Sequence, residues 1–382
     1  MRVTSVETFQ VAPRWLFVKV GTDSELSGWG EASLEGSSDV VRAAVAAFAE
    51  YLIGQDPLAI ERHWQVLAKG GFYRGGPVLS SALAGVDQAL WDLAGKVHGV
   101  PVHELLGGPV RDRVRVYGWV GGDDPSGVAE AVQRQVENGL TAIKMNASGP
   151  LGHLPSQHEV AQIVRRATAA REVLGPERDL AIDFHGRISA PAARRLLPLL
   201  EPLHPFFIEE PVLPGNNHAA LGRLVAGSST PIATGERLFS RWDFLPVLQA
   251  GVAVVQPDLS HAGGISEVRR IAALAETFDA ALAPHCPLGP LALAACLQVD
   301  FATPNFLIQE QSLGIHYNVH NDLLDYLLDG EVFRFDDGHI QRPLGPGLGV
   351  DIDEAAVRRA DELATPWRTP VWTLPDGSFA EW

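Results

Sequence analysis

The first third of the chain combines alternating and helical patterns of hydrophobic residues. Alternation of apolar and polar positions predicts three strands, and turn-forming residues 21–24 separate the last two: Val3–Phe9, Leu16–Val20 and Leu26–Glu31. Helical periodicity follows in three stretches: 38–53, 57–69 and 78–98. The last stretch ends at Gly99, with Pro101 just beyond, as is typical of a helix C-terminus. We therefore predict an α+β domain over residues 1–113.

From Val114 onward, short apolar runs alternate with helical patterns. The eight runs are Val114–Val120, Thr141–Lys144, Leu180–Asp183, Phe206–Glu209, Pro231–Thr234, Val252–Gln256, Ala280–Pro284 and Phe306–Gln309. They start 21–28 residues apart, except for a 39-residue step after Thr141 that must contain an extra loop. This alternation predicts an α/β barrel with parallel strands over residues 114–344. We expect residues 345–382, which leave the pattern, to pack back on the first domain.

Charge and composition narrow the possible partners. The 382 residues carry a net charge of −16 and contain no basic run, which argues against nucleic acid or an anionic membrane as a partner. The only cysteines, Cys286 and Cys296, do not form a metal-binding or disulfide pattern. No signal-peptide core or membrane-length apolar run is visible in the sequence. We expect a cytoplasmic protein.

Ionisable residues follow six successive apolar runs of the predicted barrel. These residues are Asp183 and His185, Glu209, Glu236, Asp258, His285 and Glu310. In barrel enzymes, the C-terminal ends of the strands carry the active site. Any one of these residues could instead cap a helix or lie on the rim as a solvated carboxylate, but six in phase favour a functional site.

Three of the carboxylates are spaced by one barrel repeat each. Asp183, Glu209 and Glu236 lie 26 and 27 residues apart, so neighbouring strands would bring them together. Their mutual repulsion favours a divalent cation, and oxygen ligands favour Mg²⁺ over Zn²⁺. The alternative is that the acids form salt bridges with Arg187 and Arg237.

Ten segments of the chain resemble the mandelate racemase branch of the enolase superfamily, and within it the aldonate dehydratases. They are PRWLFVK (13–19), GFYRGGP (71–77), DQALWD (87–92), YGWVGG (117–122), DFHGR (183–187), FIEEPV (207–212), GERLFSRWDF (235–244), QPDLSHAGG (256–264), APHCPLGP (283–290) and QEQSLGIHYN (309–318). The resemblance continues to the last residues and implies a (β/α)₇β TIM-like barrel. It also implies an N-terminal α+β capping domain that the C-terminal segment completes.

The resemblance implies a role for each residue at the strand ends. Asp183, Glu209 and Glu236 would bind Mg²⁺. His285 would remove the C2 proton, with Asp258 as its partner. His185 would protonate the departing C3 hydroxyl, and Glu310 would bind the substrate carboxylate. Such a reaction passes through an enediolate, which a cation can stabilise as a Lewis acid; a His or Lys base with Mg²⁺ is a standing example for this superfamily.

The end of the second barrel run sets the expected stereochemistry. Asn146 lies two residues after Lys144, at the position where racemases of this branch carry a second lysine as a base. Asparagine cannot accept a catalytic proton, so the resemblance implies a base on one side only and a 2R aldonate, such as galactonate, as substrate. We expect Lys144 and Asn146 to contact the substrate or act on its charge.

Several alternatives and weaker predictions remain. Another aldonate could be the substrate, the enzyme could be a one-base epimerase or cycloisomerase, or the chain could bind sugar acids without catalysis. Arg14, Trp15, Tyr73 and Arg74 of the capping domain could close over the substrate or form ordinary interdomain contacts. We predict structural hydrogen bonds for His204, His261 and His316. The family implies a homo-oligomer, as large as an octamer.

Overall fold

The N-terminal segment forms a small antiparallel sheet covered by helices. The computed structural model describes residues 1–122, 124–215, 217–315, 318 and 322–381. The sheet has the order β1-β2-β3, formed by β1 (Val3–Val11), β2 (Trp15–Thr22) and β3 (Ser27–Glu31). Four helices follow: α1 (Ser38–Leu52), α2 (Ile60–Lys69), α3 (Gly76–His98) and α4 (Val102–Leu105). The predicted strands and the three longer helices are confirmed to within three residues at their ends.

In the described residues that follow, eight strands and seven helices alternate along the chain. The strands are β4 (Arg113–Val120), β5 (Ala142–Asn146), β6 (Asp179–Asp183), β7 (Ile208–Glu209), β8 (Ile232–Thr234), β9 (Val254–Val255), β10 (Ala281–Leu282) and β11 (Gln309–Gln311). The helices are α5 (Pro125–Glu137), α6 (Gln157–Leu174), α7 (Ala190–Leu200), α8 (His218–Gly227), α9 (Arg241–Gln249), α10 (Gly264–Glu276) and α11 (Pro290–Ala302).

The strand pairing is that of a TIM-barrel-like α/β fold, as predicted. Strands β4 to β10 pair in parallel in chain order, and β11 pairs with the other side of β4. An isolated parallel bridge between Leu282 and Phe306 links β10 to the segment that leads into β11. Several strands are shorter than the apolar runs that predicted them, as in β9. The long step after β5 contains the expected loop, residues 147–156.

Side chains from all eight strand segments fill the interior of the barrel. One buried cluster takes one residue from each: Tyr117, Ala142, Ala181, Phe207, Ala233, Val254, Ala283 and Ile308. Their neighbours in sequence point to the helices, because successive side chains of a strand face opposite sides. Ile143, Ile182 and Val255 accordingly belong to the larger core beneath the helices. Polar residues just beyond this cluster are thereby placed at the C-terminal ends of the strands.

The C-terminal segment contacts both other parts of the chain. It follows the antiparallel pair β12 (Phe335–Asp336) and β13 (His339–Gln341), of which β13 also pairs with β4. The segment itself contains α12 (Glu354–Leu363), β14 (Trp372–Thr373) and β15 (Phe379–Ala380). Helix α12 packs on β1, where Asp361 accepts a hydrogen bond from the backbone of Gln10 at 2.7 Å. Near the end of the chain, Trp372 stacks under the Arg187 guanidinium of the barrel. The boundaries at residues 113/114 and 344/345 stay predictions.

Two further findings complete the fold. His316, for which we predicted a structural hydrogen bond, lies outside the described residues. None of the helices in the described part of the chain combines the length and apolar character needed to cross a membrane.

Candidate active site

The three carboxylates predicted as metal ligands lie at neighbouring strand ends. Asp183 and Glu209 are the last residues of β6 and β7 and are register partners, and Glu236 follows β8 by two residues. Asp183 and Glu209 are fully buried. His185 Nε2 lies 3.1 Å from Asp183 Oδ2, and Arg237 pairs with Glu236 at 3.3 Å. The structure thus brings the triad to one end of the barrel.

Lys144 lies among these acids. Its Nζ is 3.0 Å from Glu209 Oε2, 3.0 Å from Glu310 Oε1 and 3.7 Å from Asp183 Oδ2. Burial acts to lower the pKa of Lys144, but the charges of Glu209 and Glu310 outweigh it and raise the pKa well above its usual value. The ammonium therefore stays charged and compensates part of the negative charge of the cluster.

His285 and Asp258 form the predicted pair on neighbouring strands. The segments after β9 and β10 form a parallel bridge at these two residues, and His285 Nδ1 lies 2.8 Å from Asp258 Oδ2. His285 Nε2 points the other way, 3.2 Å from Glu236 Oε2 and 4.0 Å from Glu310 Oε2. Asp258 therefore fixes the ring from behind, and the second nitrogen faces the carboxylate cluster.

His185 approaches the same cluster from another strand. It lies two residues beyond β6, with φ of +50°, a value that non-glycine residues adopt mainly where the surroundings enforce it. Its Nδ1 lies 3.2 Å from Asn146 Oδ1, and its Nε2 lies 3.1 Å from Asp183 Oδ2. Arg187 donates to the same Asn146 oxygen at 3.1 Å. Asn146 thus orients His185 in this structure.

The protein groups alone disfavour full ionisation of the carboxylates. Burial raises the pKa of Asp183 to about 6, and the charge of Glu236 adds to the effect. Burial and the charge of Asp183 raise the pKa of Glu209 to about 8. Burial also acts on Glu236, but the neighbouring charges of His285 and Arg237 outweigh it and lower its pKa. Excess negative charge at this point therefore calls for a cation.

The two histidines have opposite pKa shifts. Burial acts to lower the pKa of His285, but Glu236, Glu310 and Asp258 outweigh it and raise that pKa well above its usual value. Burial lowers the pKa of His185 to about 3, and the positive charges of Arg187 and Lys144 add to this. With the protein groups alone, His285 keeps its proton near neutral pH and His185 is neutral.

Two groups of side chains could bind a cation. In the predicted triad, Asp183 Oδ2 and Glu236 Oε2 are buried oxygens that accept no hydrogen bond from the described residues, which suits a metal ligand. The second group is Asp258, His261 and His285, whose potential ligand atoms all lie within 4.8 Å of one another. The triad fits a hard divalent cation better, because its donors are all oxygens. In the second group, His285 is already hydrogen-bonded to Asp258.

The capping residues take different positions. Arg14 pairs with Glu35 and donates to the Pro287 carbonyl at 3.4 Å, in the loop that carries His285. Trp15 is fully buried and packs against Phe17. The side chain of Tyr73 is 87% exposed and contacts Phe72. Arg14 is thus close to the site, whereas a substrate contact of Trp15 or Tyr73 stays a prediction.

Comparison with known proteins identifies the family. Residues 2–107 match the N-terminal domain of the mandelate racemase / muconate lactonizing enzyme family, and residues 127–356 match its enolase C-terminal domain-like partner. The chain belongs to this family, within the enolase superfamily. It is 51% identical to D-galactonate dehydratase of Variovorax paradoxus and 52% identical to that of Ralstonia pickettii, over the full length of each chain.

A solved structure supports the same placement. It is described as an enolase and a candidate galactarate dehydratase from Agrobacterium radiobacter, with bound Na and L-malate. The two chains are 34% identical, each is covered in full, and the TM-score is 0.91. The fold and superfamily implied by the sequence are therefore confirmed.

The structure adds residues to the site of this family member that the sequence reasoning missed. Gln256 donates to Glu209 Oε2 at 2.7 Å, and Arg187 orients Asn146. Glu31 of the capping sheet reaches the loop that carries His285. Gln256 and Glu31 each end or follow an apolar run, so the rule of strand ends could have found them. The sequence indicated Arg187 only as a possible salt-bridge partner of the triad; its contact with Asn146 depends on the path of a loop and could not have been found in that way.

Proposed function

We propose that the chain is a D-galactonate dehydratase. It would remove the C2 proton of D-galactonate, form an enediolate, and release the C3 hydroxyl as water to give 2-keto-3-deoxygalactonate. The proposal is supported by four relatives of that name at 50–52% identity, each matched over its full length. The substrate class proposed for this chain is therefore a sugar acid with the 2R configuration.

The observation that carries the proposal is the pair of histidines around one carboxylate cluster. His185 follows β6 and His285 follows β10, four strands apart in the order of the sheet. His185 Nε2 lies 3.1 Å from Asp183 Oδ2, and His285 Nε2 lies 3.2 Å from Glu236 Oε2, so each contacts one of the proposed ligands. Elimination of water needs a base at one carbon and an acid at the next, and two imidazoles facing one site can provide both.

We assign the base to His285. The hydrogen bond of its Nδ1 to Asp258 orients the ring and stabilises the imidazolium that forms when Nε2 accepts the C2 proton. A base must start without that proton, while the neighbouring carboxylates favour its retention. Compensation of their charge would lower the pKa of His285 toward the range needed.

We assign the acid to His185. Its position beside Asp183 and its fixed orientation by Asn146 suit proton delivery to a leaving hydroxyl. Its pKa of about 3 favours the neutral ring, which is a poorer acid than an imidazolium. The negative charge of a bound sugar acid would act to raise this pKa.

Asp183, Glu209 and Glu236 are the residues we propose for binding Mg²⁺. When bound, Mg²⁺ would act as a Lewis acid on the substrate carboxylate and so stabilise the charge of the enediolate. Lys144 and Gln256 hold Glu209 in place from the side, at 3.0 and 2.7 Å. Glu310 lies between Lys144 and the backbone of Cys286 and is proposed to bind the substrate carboxylate.

A panel of sugar acids tests this function. Purified protein with Mg²⁺ should convert D-galactonate to a 2-keto-3-deoxy acid without an organic cofactor, and much faster than D-gluconate. The product is measured by the colour reaction of 2-keto-3-deoxy acids with thiobarbiturate. Turnover of a different aldonate would show that the proposed substrate is wrong but would support the proposed dehydratase reaction. Turnover of none would contradict the proposed function.

The low pKa of His185 favours one alternative, a one-base epimerase. Such an enzyme has no leaving group to protonate, so a neutral His185 would suit it. The same panel distinguishes the two, because an epimerase returns a sugar acid that keeps all its hydroxyl groups. We also propose, from the family resemblance, that the protein is a cytoplasmic homo-oligomer. The proposed boundaries between its capping domain, barrel and C-terminal segment are 113/114 and 344/345.

A further inference from the structure

The capping sheet ends in a carboxylate that reaches into the barrel. Glu31 is the last residue of β3 and is fully buried. Its Oε1 accepts a hydrogen bond from the backbone N–H of Gly289 at 2.9 Å, and its Oε2 accepts one from Ala292 N–H at 3.0 Å. The Ser33 hydroxyl donates to Oε1 at 2.7 Å. Glu31 thus bonds the start of α11 and the end of the loop that begins at His285.

These bonds replace a cap that α11 lacks. The barrel helices α5 to α8 are each capped by a side chain of their own N-cap residue: Asp124, Ser156, Ser189 and Asn217. Helix α11 has Gly289 at this position, with no side chain to accept the first N–H groups. An added Cβ at Gly289 would lie 2.7 Å from Glu31 Oε2, so glycine leaves room for the carboxylate.

A second capping-domain side chain holds the segment that carries Asp258. Gln88 of α3 accepts from the Glu31 N–H at 2.9 Å and donates to the Leu259 carbonyl at 3.0 Å. The Ser33 carbonyl lies 3.0 Å from His261 Nε2. The capping residues around Glu31 therefore contact both the segment that follows Asp258 and the segment that follows His285.

We propose that Glu31 is a positioning residue for proton transfer at C2. Its carboxylate fixes the path from His285 to the N-terminus of α11 and thereby keeps His285 Nε2 directed at the carboxylate cluster. The inference rests on the role proposed above for His285. It also assigns the capping domain a part in aligning the base, separate from any contact with the substrate.

The substitution Glu31→Gln separates this role from general packing. Glutamine keeps the volume, but its amide has one acceptor oxygen, so either Gly289 N–H or Ala292 N–H loses its acceptor. Asp92→Asn is the matched control. Asp92 is an equally buried carboxylate of the capping domain, but it accepts from Trp29 and from Leu348 of the C-terminal segment rather than from the loop of His285.

Three measurements follow at about pH 8, above the pKa of Glu31, which burial raises to about 7. We expect Glu31→Gln to lower kcat for D-galactonate by about 10- to 100-fold, the order expected for a misaligned catalytic group, with KM nearly unchanged. Deuterium at C2 should slow the variant more than the wild type, because proton abstraction becomes the slower step. Hydrogen exchange should increase selectively in residues 286–295.

The controls decide the interpretation. Asp92→Asn should keep the wild-type isotope effect and the wild-type exchange of residues 286–295. Equal loss of kcat in both variants, or loss in Glu31→Gln with an unchanged isotope effect, would overturn the proposal. So would wild-type kcat in Glu31→Gln. If the wild type dehydrates no sugar acid, the proposed function fails, and exchange of residues 286–295 alone decides whether Glu31 positions the loop.

Discussion

At the scale of single residues, the site is organised around charge compensation. Lys144 contacts Glu209 and Glu310 at 3.0 Å each, and this buried ammonium compensates part of the negative charge of the carboxylates. The sequence indicated the acids and histidines because each follows an apolar run. It could not indicate that Lys144 would contact Glu310, or that Asn146 would orient His185. Those contacts depend on side-chain conformations across strands far apart in the sequence.

The two histidines can be tested separately by exchange at C2. His285→Asn should abolish dehydration, with a loss of about 10²–10⁴-fold as is typical for a general base. His185→Asn should also make little product, but His285 can still remove and return the C2 proton. In D₂O, galactonate recovered from His185→Asn should therefore contain deuterium at C2, and galactonate from His285→Asn should not. Nuclear magnetic resonance of the C2 position measures both.

Two results would count against these roles. Normal dehydration by His185→Asn would assign the acid to another group. Deuterium incorporation by His285→Asn would show that another residue is the base. His204→Asn is a suitable control, because His204 lies at the turn before β7, away from the cluster, and should behave as wild type.

At the scale of elements, the repeat of the barrel could be predicted from the sequence. Each strand buries one face in the interior and the other beneath the helices, so it appears as an apolar run. All eight predicted runs correspond to strands, and the long step after β5 was also predicted. The contacts of that step were not readable. The Ser189 hydroxyl donates to the His153 carbonyl at 2.6 Å, and Arg195 donates to the Pro155 carbonyl at 2.9 Å. A loop without periodic pattern carries no signal for such partners.

Helix α10 offers a test of how the capping domain supports the barrel. Its N-cap is Gly263, and Asp87 of α3 accepts from the backbone N–H and hydroxyl of Ser266 at 2.9 and 2.6 Å. Burial raises the pKa of Asp87 to about 7, with Ser266 and Arg270 opposing the shift and Glu61 adding to it. The folded protein therefore binds a proton here that the unfolded chain releases near pH 4.

This shift predicts a pH dependence of stability. Between about pH 4 and 7, the folded state binds the extra proton, so the contribution of Asp87 to stability is greatest below pH 4 and is lost as the pH rises through 7. Asparagine keeps both bonds, because the Ser266 hydroxyl can also accept. The Tm of wild type minus that of Asp87→Asn should therefore fall as pH rises from about 4 to 7, by the equivalent of a few kcal/mol. A constant difference across this window would show that Asp87 does not titrate there.

At the scale of the whole molecule, the chain wraps its ends around the barrel. The capping sheet is bound to α12 by the ion pair of Lys19 with Glu354 at 2.7 Å, and to the barrel by Glu31 and Gln88. The sequence indicated a returning tail because residues 345–382 leave the repeating pattern of the barrel. The polar character of the interface was hidden, because buried polar residues on α3, such as Asp87 and Gln88, look like a solvent-exposed helix face in a single sequence.

Cation binding should therefore be visible in the stability of the entire chain. The carboxylates converge only in the folded state, so a cation bound there stabilises the fold by mass action. At a concentration of 100 times Kd the gain is about 2.7 kcal/mol.

After chelation, adding Mg²⁺ should raise the Tm, whereas NaCl of equal ionic strength should not. Glu209→Gln should remove most of this rise, because it takes one charge from the triad. His261→Gln should keep it, because His261 belongs only to the second group of potential ligands, with Asp258 and His285. Differential scanning calorimetry of the three proteins with and without Mg²⁺ measures the difference. The reverse pattern, a rise lost in His261→Gln and kept in Glu209→Gln, would place the cation at the second group and show that the assignment of Asp183, Glu209 and Glu236 is wrong.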